Sequence, residues 1–250
     1  MSAPPGPARA EHDRLVRFFA AVAAELGHPV HDGASVLDFG CGAGGLVRAW
    51  DAAGFEAVGC DVVLEEPGER LHLIEQPYRL PFPDASFDFA VSNQVLEHVQ
   101  DHDVAFRELR RVLKPGAASL HLFPARWTPL EVHLHVPLGG IVQERWWLAL
   151  WARLGIRNAF QQGLSWREVA ALNHEYLATK TNYLSRADML ATARAWFEAA
   201  DFVEALAIKH GRRTQVIYPL VRRAPAVAAA YGAVRARLLF LAAPERLGDP

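Results

Sequence analysis

Apolar residues recur along this chain with two distinct periods. In His12–Gly27, Leu15, Phe18, Phe19, Val22 and Leu26 fall on one helical stripe. Val36–Phe39 is a short apolar run that predicts a buried strand, and Leu46–Ala53 has helix composition. A second strand follows at about 56–60, a third at Leu71–Ile74 and a fourth at Phe87–Ser92. Asp101–Leu113 reads as an amphipathic helix, with Val104, Leu109, Val112 and Leu113 on its apolar side. Lys114-Pro115-Gly116 stops it, and Ala117–Phe123 supplies a fifth strand. Strands alternating with helices across short turns predict an α/β fold with a doubly wound, mostly parallel sheet.

The alternation fails after residue 123. Residues 124–190 contain the turn Pro137-Leu138-Gly139-Gly140 and predicted helices at Gln143–Leu154 and Trp166–Thr179. A connection this long carries structure of its own, and it reads as a mainly helical insert covering a substrate. Arg186–Ala200 is expected to be a helix capped by Ser185. Phe202–His210 and Thr214–Val221 read as a hairpin joined by Gly211-Arg212-Arg213, and Ala226–Leu241 as a terminal helix. The expected division is a disordered tail (1–10), an N-terminal helix (11–33), a core (34–123), the insert (124–190), a completion of the core through the hairpin (191–223), and a terminal helix and tail (224–250).

With 250 residues the chain can bury a full core. A formal charge of −2 argues against a nucleic-acid surface. Cys41 and Cys60 are neither a disulfide framework nor a metal quartet. No signal peptide or long apolar run is evident, so a cytoplasmic location without stable membrane insertion is expected. The terminal helix offers a surface for a homodimer, with a monomer as the other option.

Chemistry concentrates where the first strand ends. Asp38-x-Gly40-x-Gly42-x-Gly44 turns a strand into a helix, and such glycines let backbone approach a ligand closely. Asp61 closes the second strand 21 residues after Gly40, the spacing of an acceptor for ribose hydroxyls. Leu80-Pro81-Phe82-Pro83-Asp84-Ala85-Ser86-Phe87-Asp88 precedes strand four, and Asn93-Gln94-Val95-Leu96-Glu97-His98-Val99 follows it. Glu108-Leu109-Arg110-Arg111-Val112-Leu113-Lys114-Pro115-Gly116 leads to strand five. In this order and spacing, over about residues 34–123, the chain resembles the class I S-adenosylmethionine-dependent methyltransferases, specifically their small-molecule methyltransferase domains.

The resemblance implies a seven-stranded Rossmann-like sheet whose last two strands include one of opposite direction. It implies S-adenosylmethionine as cofactor and no metal. Gly40, Cys41, Gly42 and Gly44 would line the methionine and ribose side, and Asp61 would accept from the ribose. Asp38 either pins the turn or reaches the methionine amine through water. Val62 would lie against adenine, and Asn93 would meet the methionine moiety. Many relatives carry an Asp where this chain has Gln76, whose carbonyl is the acceptor left for the adenine amino group.

For the acceptor, Glu131-Val132-His133-Leu134-His135 alternates, so an extended segment would turn its three polar groups to one side. His133 and His135 are the candidate bases, ahead of His98, whose Leu-Glu-His-Val setting reads as structural. Three ligands from one strand strain a metal site, so no metal is expected there. Arg126, Trp127, Glu131, Trp147 and Tyr183 are the candidate substrate contacts. Together these residues suggest methyl transfer to oxygen or nitrogen of a small or medium-sized, partly aromatic or apolar acceptor. A carbon acceptor, a noncatalytic cofactor- or protein-binding domain and an NAD-dependent oxidoreductase are the competing readings.

Overall fold

The computed structural model describes residues 7–75 and 79–245. The first helix, α1 (Pro7–Glu25), starts within the segment expected to be a tail, while residues 1–6 lie outside the described residues. Phe19, Val22 and Ala23 of α1 are fully buried. The stripe read from the sequence therefore packs inward, against the helix that follows the first strand.

The elements continue with β1 (Ser35–Phe39), α2 (Gly45–Ala52), β2 (Glu56–Asp61), β3 (Leu71–Leu73), β4 (Phe87–Asn93), α3 (His102–Val112) and β5 (Leu113–Pro124). Asp101 caps α3, its side chain accepting from Val104 N at 3.1 Å. Ala105, Phe106, Leu109 and Val112 bury the inner face of α3. Strand β5 begins directly at Leu113 rather than at Ala117. Gly116, at φ +72°, lets the chain bulge, so that Phe87 pairs with Leu113 while Phe89 pairs with Ala118.

Beyond β5 come α4 (Arg145–Arg153), α5 (Trp166–Lys180) and α6 (Arg186–Arg194). Helices α4 and α5 pack on each other around Ala152, Val169 and Ala170. Ser165 and Glu168 form a reciprocal capping box on α5, and Ser185 caps α6 as expected.

The C-terminal part departs from the sequence reading. The chain forms β6 (Ala199–Phe202), α7 (Glu204–His210), α8 (Tyr218–Arg223), α9 (Ala226–Val234) and β7 (Ala236–Ala242). No hairpin spans 202–221. Gly211-Arg212-Arg213 instead follows a helix, Gly211 N donating to Ala207 O at 3.0 Å. The expected terminal helix ends at Val234, and its second half is a strand buried on both faces between β5 and β6. Leu238-Leu239-Phe240-Leu241 is apolar throughout, and an uninterrupted run of this kind has no period to separate a central strand from a buried helix. A subunit contact through the distal part of that helix is therefore withdrawn, because the segment lies inside the sheet.

The sheet has seven strands in the order β3-β2-β1-β4-β5-β7-β6. Strand β7 runs antiparallel to both its neighbours and the other pairings are parallel. The opposed strand expected from the resemblance is present, but it comes from the last element of the described chain. One core lies under α3 and α6, and the other under α1 and α2. Among the described residues no helix is long and apolar enough to cross a membrane.

Candidate active site

Strand order sets the position of the site. The chain leaves β1 toward β2 and β3 on one side, then returns to lay β4 and β5 on the other. The chain thus leaves β1 and β4 toward opposite edges of the sheet, and in an open α/β sheet this reversal is where a crevice forms.

The loop after β1 depends on glycine. Gly40 sits at φ +79°, and a Cβ there would collide with the Val95 side chain in the loop after β4. The two loops are held against one another at this point. Gly42, at φ +49°, faces the opposite situation: a Cβ would meet nothing within 4 Å, so its backbone borders open space. Gly42 N donates to Asp61 Oδ2 at 2.8 Å, and Val63 N donates to Asp61 Oδ1 at 3.2 Å. Asp61 thereby ties the glycine loop to the end of β2. Val62 beside it is 57% exposed. Gly44, at φ +71°, turns the chain into α2, and Asn93 stands half-buried at the end of β4.

Asp38 is 3% exposed and, among the described residues, its carboxylate has no hydrogen-bond partner. Burial, reinforced by the negative charge of Asp61, pushes its carboxyl up to about 7. Cys41 contributes mainly backbone: its N and that of Gly40 donate to Cys60 O at 3.1 and 2.8 Å. Its thiol, against Gly59, is pushed up to about 12 by burial, with Asp38 and Asp61 adding to the effect. That thiol is packing, as is Cys60, and both are unpaired cysteines. Gln76 lies outside the described residues.

The second cluster is built around Glu131, which the sequence offered as one of three groups along an extended strand. The segment is instead a tight turn, with His135 N donating to Glu131 O at 2.9 Å and His135 at φ +58°. Glu131 is fully buried and drives the turn, its Oε2 accepting from His133 N at 2.9 Å and Leu134 N at 2.7 Å. Its Oε1 accepts from His133 Nδ1 at 2.8 Å and from Tyr183 OH at 3.2 Å. Despite burial, these donors hold its carboxyl below the usual range. Glu131 and Tyr183 are therefore spent on each other and on His133, while His135 points into solvent as an exposed residue.

His133 meets two residues that sequence reasoning set aside. Its Nε2 is 3.2 Å from His98 Nε2, and His98 Nδ1 donates to Lys180 O at 2.7 Å. Glu97 beside them is 1% exposed and neither of its carboxylate oxygens has a hydrogen-bond partner. Burial pushes the Glu97 carboxyl up to about 7. Tyr176 adds its ring 5.7 Å from that of His133. Glu97 and His98 belong to the short helical turn Leu96–His98, immediately after the Val95 that packs on Gly40. A polar Glu-His pair set between Val95-Leu96 and Val99, just after a core strand, was the available signal.

The other substrate candidates separate. Trp147 sits in the core of the insert with Leu134, Val136, Leu148 and Leu177, and its Nε1 donates to Pro137 O at 2.8 Å. Its indole is thus a packing group, withdrawn as a substrate contact. Arg126 and Trp127 line a cavity of about 280 Å³ beside α9 and β7, with Arg186 and Arg237.

Comparison with known proteins agrees with this architecture. Residues 37–120 match the family model described as a methyltransferase domain. A malonyl-[acyl-carrier protein] O-methyltransferase of Erwinia billingiae is 38% identical over 116 residues, 40% of this chain and 46% of that protein. The ubiquinone/menaquinone biosynthesis C-methyltransferase UbiE of Laribacter hongkongensis is 34% identical over 117 residues, 41% of this chain and 48% of that one. The matched stretch thus spans a little under half the length of these relatives. The YcgJ protein of Bacillus subtilis shares the fold, with a TM-score of 0.52 and 17% identity over 94% of this chain and 100% of that chain. The chain carries a class I, S-adenosylmethionine-dependent methyltransferase domain.

Proposed function

We propose that the protein transfers the methyl group of S-adenosylmethionine to an oxygen or nitrogen of a small or medium-sized, partly aromatic or apolar acceptor. The observation that carries this reading is the adjacency of two arrangements: a glycine loop tied to Asp61, and a Glu131–His133–His98 cluster joined to it through Val95.

The residues of the crevice fit the parts of the cofactor. Asp38, buried and unpartnered, suits the methionine ammonium, which would draw its carboxyl back toward the ionised form. Asp61 offers carboxylate oxygens to a ribose diol, exposed Val62 offers apolar surface to adenine, and the Gly42 backbone borders space that a side chain would fill. Asn93 supplies a polar group at the end of β4. When bound, the cofactor supplies an electrophilic methyl on a sulfonium that is displaced in line. The protein's share is alignment of the acceptor and removal of its proton. In the neutral rings Nδ1 of both His98 and His133 is bonded to an oxygen, so each presents Nε2 as the acceptor nitrogen.

Of the insert expected over 124–190, the part between β5 and α6, residues 125–185, would form the substrate cover. A carbon acceptor is the second reading, favoured by the match to a protein named as a C-methyltransferase. The methyltransferase match counts against the NAD reading. A cytoplasmic protein acting on a small molecule rather than nucleic acid, as monomer or homodimer, completes the proposal.

Methyl-labelled S-adenosylmethionine, incubated with the protein and panels of hydroxyl, amine and activated-carbon acceptors, tests it. Label should move to an oxygen or nitrogen acceptor, and at subsaturating cofactor more slowly in Asp61→Ala. Transfer to carbon acceptors alone would select the second reading; cofactor binding without transfer to any would favour a noncatalytic domain.

A further inference from the structure

The Glu97–His98–His133 cluster poses a chemical problem that its protein partners do not solve. A backbone carbonyl only accepts, so the hydrogen of the neutral His98 ring is on Nδ1, facing Lys180 O. The Glu131 carboxylate likewise keeps the His133 hydrogen on Nδ1. Both Nε2 atoms are then lone-pair nitrogens, yet they face each other at 3.2 Å. Beside them Glu97 buries a carboxylate with no donor for either oxygen, and one of these oxygens is 3.8 Å from His98 Nε2. Three electron-pair donors thus converge within one small volume, where the Glu131 and Glu97 carboxylates favour positive charge at His133.

We propose that Glu97, His98 and His133 bind a divalent cation of the zinc class. One ligand atom from each lies within 4.8 Å of the others. Tetrahedral zinc with bonds of roughly 2.0–2.1 Å separates its ligands by about 3.4 Å. The His98–His133 spacing of 3.2 Å falls close to that edge. Two imidazoles and one carboxylate select a borderline cation such as Zn²⁺ over Mg²⁺ or Ca²⁺, which prefer all-oxygen shells. Three protein ligands also leave a position open, the arrangement of a catalytic rather than a structural site.

The surroundings match a metal centre. Glu131 accepts from the distal nitrogen of His133, and Lys180 O accepts from that of His98, so both rings are fixed with Nε2 forward. Glu131 is itself held by two backbone N–H groups and Tyr183 OH. The site differs from the Glu131–His133–His135 triple of the linear sequence, since the turn sends His135 outward and long-range packing brings in Glu97 and His98. Cation binding goes beyond the methyl-transfer reading and stands without it. If that reading holds, the open position would take an acceptor oxygen, and the cation, occupying both Nε2 lone pairs, would replace a histidine base by lowering the pKa of that oxygen.

The test is titration of the full-length protein, stripped with a chelator, with Co²⁺ followed by visible absorption and with Zn²⁺ against a chromogenic chelator. Calorimetry with S-adenosylhomocysteine runs in parallel on every variant to show an intact crevice. One saturable site is expected, with a tetrahedral Co²⁺ spectrum. His98→Ala and Glu97→Gln should remove it, Glu131→Gln should weaken it about 10- to 100-fold, and His135→Ala should leave it unchanged. Wild-type protein that binds S-adenosylhomocysteine but takes up neither cation would overturn the proposal, leaving a shared proton between the imidazoles. Uptake that survives both His98→Ala and Glu97→Gln would overturn it equally, by placing the cation elsewhere. Cation uptake by a protein that binds no S-adenosylhomocysteine would sink the methyl-transfer reading and leave this site standing.

Discussion

The cofactor crevice and the acceptor face are built by different means. The crevice is a backbone construction: Gly40 allows close packing on Val95, Gly42 leaves space, and Asp61 ties two strand ends together through amide hydrogens. Its glycines and Asp61 lie within one βαβ unit, and Val95 joins them from the loop after β4. The acceptor face is a side-chain construction. It joins Glu97 and His98 after β4 to His133 in a turn beyond β5, with Tyr183 and the Lys180 carbonyl closing it. A crevice of the first kind is limited by where a Cβ fits, whereas a cluster of the second kind fails when a single partner is lost.

The largest expected effect sits on the acceptor face. His133→Ala should lower turnover by about 10²–10⁴-fold, while S-adenosylhomocysteine affinity stays near wild type. His135→Ala, at an exposed position of the same turn, should change neither. Steady-state kinetics with calorimetry on both variants would blur the comparison if His133→Ala lost cofactor affinity in proportion to turnover.

Next comes a pH effect on the crevice side. Asp38 is raised from 3.8 to about 7 by burial, so between these values the folded state keeps a proton that the unfolded state has released. Its contribution to stability therefore falls as pH rises through that window. His121, buried between Ser92 and Ser119, is lowered to about 3 and acts in the opposite sense between 3 and 6.5. Asp38→Asn should therefore gain stability relative to wild type as pH rises from 4 to 8, by on the order of 4 kcal/mol. Urea unfolding at several pH values would show this as a diverging pair of curves, and parallel curves would mean that Asp38 is ionised in the fold.

A smaller effect is expected at Asp61. Asp61→Ala should weaken S-adenosylhomocysteine by about 10- to 100-fold, the worth of roughly 1.5–3 kcal/mol for hydrogen bonds to a charged group. An unchanged affinity in a folded variant would remove the ribose role.

This contrast also explains what could be read from the chain. Strand β1, the glycine loop, β2, β4 and α3 were legible because each shows a local period or a φ requirement. Asp38 and Asp61 were placed by spacing within one βαβ unit. The closing strands were not legible, since Leu238–Leu241 carries no period and finds its place only between β5 and β6. Glu204 likewise begins a helix where alternation suggested a strand, and it is buried against Arg186. On the acceptor face Glu131, His133 and Tyr183 were named, but not that they bond to one another or that His98 joins them. Glu131 was read as sharing one side of an extended segment with His133 and His135, and nothing local reveals that its carboxylate folds the turn back on itself. Glu97 and His98 lie 36 and 35 residues from His133, a separation only the fold can close.

The central claim is that the crevice between β1 and β4 binds the methyl donor. Calorimetry of the full chain against S-adenosylmethionine, S-adenosylhomocysteine and NAD tests it most directly. Saturable binding of the first two, weakened in Asp61→Ala, and none of NAD is the predicted result. Selective binding of NAD, or of neither methionine-derived ligand, would contradict it.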